Sequence, residues 1–157
     1  MDVENKQYLT KGGLKKLEQE LGDLKRERDV KKKDEAVIPS SQTIDSEFAT
    51  FQEGLNLLEA RIDELDFILK NYALIILPPT YQRRIVNLGA TVLLEVEGQK
   101  TEFTIVGPIE ANPMLGRISH ESPVGNSLLG SKVGDEVKVQ SAVKTIYKVK
   151  KIIYKEL

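Results

Sequence analysis

The chain has no cysteine, no tryptophan and only one histidine. The missing thiols exclude disulfides, thiolate nucleophiles and cysteine-ligated zinc, and fit a cytosolic protein. His120 would be the only base open to a Ser-His-Asp triad, and nothing beside it completes one, so a surface or packing role is expected. Four Phe and five Tyr are a thin supply for an aromatic-lined pocket. No apolar run approaches the roughly 18 residues of a membrane span. The polar start Met1-Asp2-Val3-Glu4-Asn5-Lys6 does not read as a signal peptide. A soluble, cytoplasmic protein with no membrane partner is expected.

Excess charge is also missing. A net charge of −1 argues against tight, purely electrostatic binding to nucleic acid. The average hides a split: through Ile75, 12 Lys/Arg face 16 Asp/Glu, and beyond it 11 face 8. Lys25, Arg26, Arg28, Lys31, Lys32 and Lys33 form a basic run. A run of this kind is either a solvated helix face or a strip that contacts the phosphates of nucleic acid.

Residues 1–9 read as a loose leader, with Thr10 as the N-cap of a first helix. Leu14, Leu17, Leu21 and Leu24 follow a heptad spacing. Beyond Leu24 the seam turns charged, with Arg28 and Lys31 where apolar residues are due. A second helix carries Phe48, Phe51, Leu55, Leu58, Ile62, Leu65 and Leu69 in unbroken alternating steps of three and four. Between the two lies Asp34 to Phe48, where Pro39 and Ser40-Ser41-Gln42-Thr43 interrupt the helical pattern. Two such seams bury each other as an antiparallel coiled-coil hairpin with its tip at about residues 34–47. At 1.5 Å per residue, an arm of about 25–30 residues extends roughly 40 Å.

Leu77-Pro78-Pro79-Thr80 closes the helical pattern and divides the chain into residues 1–77 and 78–157. Alternation and short β-branched runs follow. Ala90–Val96 and Thr101–Val106 predict a hairpin around Glu97-Gly98-Gln99, with further strands at Arg117–Ser119, Val133–Val139 and Thr145–Ile153. Ser127-Leu128-Leu129 reads as a single helical turn. The expected class is α+β: an antiparallel helical hairpin followed by an antiparallel β-sheet domain.

Several blocks of the second half are similar to the bacterial transcript-cleavage factors of the GreA/GreB family. They are Val86–Val92, Ile105-Val106-Gly107-Pro108 with Glu110-Ala111, Ile118-Ser119 followed by Ser122–Gly130, and Val133–Val137. Leu9-Thr10-Lys11-Gly12-Gly13 and the two seams resemble that family's coiled coil, so the likeness spans roughly residues 8–153. Ser141-Ala142-Val143-Lys144 departs from it, standing where the family has a Pro-x-Gly turn. The resemblance implies a C-terminal domain similar in fold to the FK506-binding prolyl isomerases. That domain would dock on the rim of bacterial RNA polymerase's secondary channel, through a loop carrying Ser122 and Pro123. The coiled coil would enter the channel and reach the nascent RNA 3′ end. There, two tip carboxylates would help hold a Mg²⁺ ion shared with the polymerase, as in two-metal phosphodiester hydrolysis. On this reading the protein is a monomer, has no cofactor of its own, and leaves any catalysis to the polymerase.

The tip departs from the family pattern Gly-Asp-Leu-Ser-Glu-Asn-Ala-Glu-Tyr. Anchoring its closing pair on Glu47-Phe48 places the working Asp on Ser41 and the working Glu on Ile44. Neither binds a metal as a carboxylate does. Asp45 and Glu47 are the replacement catalytic and metal-holding candidates, although two residues apart is poor spacing on a helix. Asp34 and Glu35 lie across the turn, and Asp45 equally suits a helix N-terminus. Three readings stay open: a cleavage-stimulating factor, a non-cleaving occupant that inhibits transcription, and a coiled-coil chaperone or prolyl isomerase.

Overall fold

The computed structural model describes residues 6–35, 45–140 and 143–156. They divide into two compact units, Leu14–Asn71 and a second that joins Met1–Gly13 to Tyr72–Leu157.

The first unit is helical. α1 spans Lys11–Glu35 and α2 spans Asp45–Lys70. Thr10 caps α1 as its sequence position predicts, its Oγ1 accepting from the Gly13 N–H at 2.9 Å. Leu55, Leu58, Ile62, Leu65 and Ile68 are buried on α2, and Leu17 on α1. The last buried position falls on Ile68, with Leu69 half-buried, because a helix of 3.6 residues per turn drifts off a strict heptad. Three ion pairs cross between the helices: Glu20–Arg61 at 2.7 Å, Lys25–Asp66 at 3.0 Å and Lys32–Glu59 at 2.6 Å. Glu20 and Glu64 both accept hydrogen bonds from Arg61 and raise its pKa. Towards the connection the apolar cover thins, and Val30 and Phe48 are exposed. Among the described residues, no helix is long and apolar enough to cross a membrane.

The end of the presumed leader is ordered. Gln7–Leu9 forms β1 and pairs in parallel with β2, Tyr72–Leu74, in the register Gln7↔Tyr72, Tyr8↔Ala73, Leu9↔Leu74. Three-residue strands show no periodicity, so neither was visible in the sequence. Their pairing ties the residues before α1 to those after α2, and two helices joined at both ends in this way run antiparallel.

The main sheet has five strands in the order β5-β4-β3-β7-β6. They are β3 Ala90–Val96, β4 Gln99–Val106, β5 Arg117–Ser119, β6 Glu136–Gln140 and β7 Lys144–Tyr154. All neighbours are antiparallel except β4 and β5, which run parallel over Thr104–Val106 and Arg117–Ser119. The sheet is therefore mixed where a wholly antiparallel one was expected. The link of residues 107–116 makes two 3₁₀ turns and returns alongside the last residues of β4, so a short parallel edge strand needs no long crossover. A short helix, α3, covers Pro123–Leu128. Ala90, Val92, Leu94, Ile105, Ile118, Leu128, Val137, Val139 and Val149 form the core. Phe103, Tyr147 and Tyr154 pack against it, which leaves no free aromatic wall among them.

Candidate functional site

Two sequence blocks with no chemical role of their own meet at one carboxylate. Glu110 Oε2 accepts from the Thr10 backbone N–H at 2.6 Å, and Oε1 accepts from Thr10 Oγ1 at 2.7 Å. Arg117 Nη2 donates to the same Oε1 at 2.8 Å, and the Glu110 side chain is only 8% exposed. An acidic group at the first turn of α1 also complements the helix dipole. Gly13 leaves room for it: a Cβ there would stand 2.2 Å from the Glu110 carboxyl carbon. Gly107 serves the same junction, since a Cβ would lie 2.0 Å from the Tyr8 carbonyl oxygen. The Tyr8 ring meets His120 edge-on, with centroids 5.4 Å apart. His120 thus packs against an aromatic, and its Nδ1 is buried with no hydrogen-bond partner among the described residues. Glu110 was missed as a site residue. The signal available was the pair of glycine-bearing blocks, whose glycines keep their neighbours free of Cβ atoms.

The expected docking loop caps α3. Ser122 Oγ donates to the Ser119 carbonyl at 2.6 Å and accepts from the Gly125 N–H at 3.1 Å. Pro123 takes the first helical turn, where its missing N–H costs nothing, and is exposed. Gly125 is forced by space, because a Cβ would sit 2.0 Å from the Ser119 oxygen. Ser122 therefore shapes the loop and Pro123 presents it.

Of the six residues in the basic run, five are in ion pairs. Lys25 meets Asp66 and Lys32 meets Glu59 on α2. Arg26 meets Asp23, Arg28 meets Asp29 at 2.9 Å, and Lys31 meets Glu27 at 3.1 Å. Among the described residues, Lys33 has no carboxylate within ion-pair range. The run is thus largely neutralised by acidic neighbours on its own helix and on α2.

At the tip, Ser41 and Ile44 lie outside the described residues, as does the side chain of Asp45. Asp45 opens α2 and Glu47 follows in the first turn, exposed. Two residues apart on a helix are positions that face different ways. Among the described residues, no group of three or more His, Cys, Asp or Glu could hold a metal ion. Asp34 is exposed near the end of α1.

A family model described as "Transcription elongation factor, GreA/GreB, C-term" matches residues 82–154, which take in β3 to β7 and the Ser122 loop. The transcription elongation factor GreA of Thermomicrobium roseum is 45% identical over 84 residues, 54% of each chain, so this chain spans about half of that relative. The GreA of Lachnoclostridium phytofermentans is 38% identical over 143 residues, covering 88% of this chain and 89% of that one. The crystal structure of GreA factor homolog 1 (Gfh1) of Thermus thermophilus aligns over 95% of this chain and 99% of its own, at 29% identity and a TM-score of 0.43. An alignment as long as the second takes in most of the helical pair as well as the sheet, and the chain belongs to the GreA/GreB family of transcription elongation factors.

Proposed function

We propose that this protein binds bacterial RNA polymerase and acts on elongation from the secondary channel, occupying it without contributing a metal-holding carboxylate pair. The hairpin of α1 and α2 is the part that enters, towards the RNA 3′ end and its Mg²⁺ ions. The sheet unit holds the channel rim through the loop that Ser122 shapes and Pro123 presents. Lys33 and its paired neighbours then meet RNA phosphates, exchanging carboxylate partners for phosphate ones. Catalysis stays with the polymerase.

The observation that carries the non-cleaving reading is the identity of Ser41 and Ile44, the two residues on which the family's carboxylates fall when its tip pattern is anchored on Glu47-Phe48. Mg²⁺ takes oxygen ligands and favours charged ones. A hydroxyl is neutral, and an isoleucine side chain has no lone pair to offer. Asp45 and Glu47 stand in a helical turn at a spacing that separates them.

The test is a backtracked elongation complex of purified bacterial polymerase, followed by the length of its RNA. The wild-type protein should be retained by the polymerase and slow elongation without shortening the transcript. Ser41→Asp combined with Ile44→Glu should confer shortening. Pro123→Glu should weaken retention. Shortening by the wild type that Asp45→Ala with Glu47→Ala abolishes would restore the cleavage-stimulating reading. A protein that polymerase does not retain overturns the proposal, and acceleration of prolyl isomerisation in a short peptide would put the chaperone reading in its place.

A further inference from the structure

The family's motifs leave one basic surface without a role. The segment between a 3₁₀ turn at Thr80–Gln82 and β3 carries Arg83 and Arg84, and an isolated antiparallel bridge joins its Ile85 to Lys132. The Val86 N–H donates to the Ser131 carbonyl at 2.9 Å and the Gly130 N–H to the Val86 carbonyl at 2.8 Å, so the two segments are fixed side by side. Between them opens a groove of about 330 Å³ lined by Arg83, Arg84, Lys132, Val133 and Ile152. Three cations line it and no carboxylate does. No Asp or Glu occurs between Asp66 and Glu95 in the sequence. The nearest acid in sequence to Lys132, Asp135, is turned onto the Lys132 backbone N–H at 2.8 Å.

Arg83 is partly pre-set. Its Nε donates to the Pro78 carbonyl at 2.9 Å, which fixes the plane of the guanidinium and leaves its terminal donors for another partner. Two guanidiniums and an ammonium around an open groove fit a chain of tetrahedral anions. Tyr81, two residues before Arg83, is 76% exposed, its hydroxyl accepting from Gln82 Nε2 at 3.3 Å. Cations along a groove, with an exposed aromatic two residues away in the chain, are elements of single-strand binding, the phosphates following the charges and a base stacking on the ring. An acidic protein segment would use the cations but not the ring.

We infer that the Arg83–Arg84–Lys132 groove binds the phosphate backbone of single-stranded RNA, with Tyr81 stacking on a base. This site is separate from the basic run of α1 and stands independently of the polymerase reading.

The experiment titrates the full-length protein, without polymerase, against a fluorescent oligouridine over a range of salt. Three phosphate contacts give a log–log salt slope of about −2 for a single strand. Arg84→Glu with Lys132→Glu should weaken binding at least tenfold and flatten that slope, with the helix and tyrosine signals unchanged. Arg83 is left in place because of its bond to Pro78. Tyr81→Ala should cost a further several-fold. Loss of binding on Lys32→Glu with Lys33→Glu but not on the groove pair would assign the RNA to α1 and overturn the inference. Absence of RNA binding by the wild type would do the same. So would displacement of the RNA by oligoglutamate of equal charge at equal concentration, which would mark an acidic-segment site.

Discussion

Glu110 shares three hydrogen bonds between two oxygens, and each partner depends on it. Without the carboxylate the Thr10 N–H has no acceptor, and Arg117, whose Nε has no partner among the described residues, loses its counter-charge. Removing one member of a fully buried, hydrogen-bonded ion pair costs about 3–5 kcal/mol, and the lower end applies here because the Arg117 side chain keeps 29% of its surface exposed. Glu110→Gln keeps the shape but sets its NH2 donor against either the Thr10 N–H or the Arg117 guanidinium. The expected outcome is a loss of that size, measured by denaturant unfolding followed by tyrosine fluorescence. All five tyrosines lie in Tyr8 or beyond Asn71, so this signal reports the sheet unit. Adding Arg117→Met to Glu110→Gln should recover part of the loss, since the orphaned cation is removed. A Glu110→Gln protein as stable as the wild type would reduce the junction to a surface contact.

At the scale of elements, the seam of α2 offers a sharper contrast. Leu65 is fully buried while Leu57, on the same helix, is 68% exposed. Leu65→Ala should destabilise the helical unit by about 2–5 kcal/mol, and Leu57→Ala should change it by less than about 0.5 kcal/mol. Far-UV helix signal is the measure, and the tyrosine transition should not follow it. Equal effects at the two positions would mean that the seam does not pack as described. Burial at Leu55, Leu58, Ile62 and Leu65 was legible because four residues at heptad spacing leave little other reading. The long strands β3, β4 and β7 were legible for the matching reason, a period of two between turn residues. What escaped the sequence was short or non-local. β1 and β2 are three residues each, and β5 pairs parallel to β4 only because residues 107–116 double back. The Glu110 junction joins residues 100 apart in the chain. The motif resemblance marked both of its halves, yet spacing alone assigned them no task. For the candidate site, Ser122 and Pro123 were legible as a loop, whereas the capping role of Ser122 depends on where the Gly125 N–H falls in the folded chain.

For the whole molecule, the consequence is that the sheet unit is not one continuous stretch of chain. Met1–Gly13 groups with Tyr72–Leu157, and the helical residues Leu14–Asn71 lie between them in sequence. The first segment brings β1 to pair with β2, the Leu9 side chain to full burial, and both Thr10 donors to Glu110. A fragment beginning at Tyr72 keeps the core of Val86, Val92, Leu94 and Val149, so it should still fold. It should do so with reduced stability, because β2 has lost its neighbour and the Glu110 carboxylate two of its three hydrogen bonds. Joining residues 6–13 to Tyr72 through a short flexible linker should restore the difference, and Thr10→Val in that joined fragment should remove part of it again. The measure is the midpoint of the tyrosine-monitored transition in the three fragments. Midpoints that coincide with and without residues 6–13 would show that the leading segment adds nothing to the sheet unit. In that case the hydrogen bonds between Thr10 and Glu110 would need a role outside folding, such as a partner that reads the junction directly.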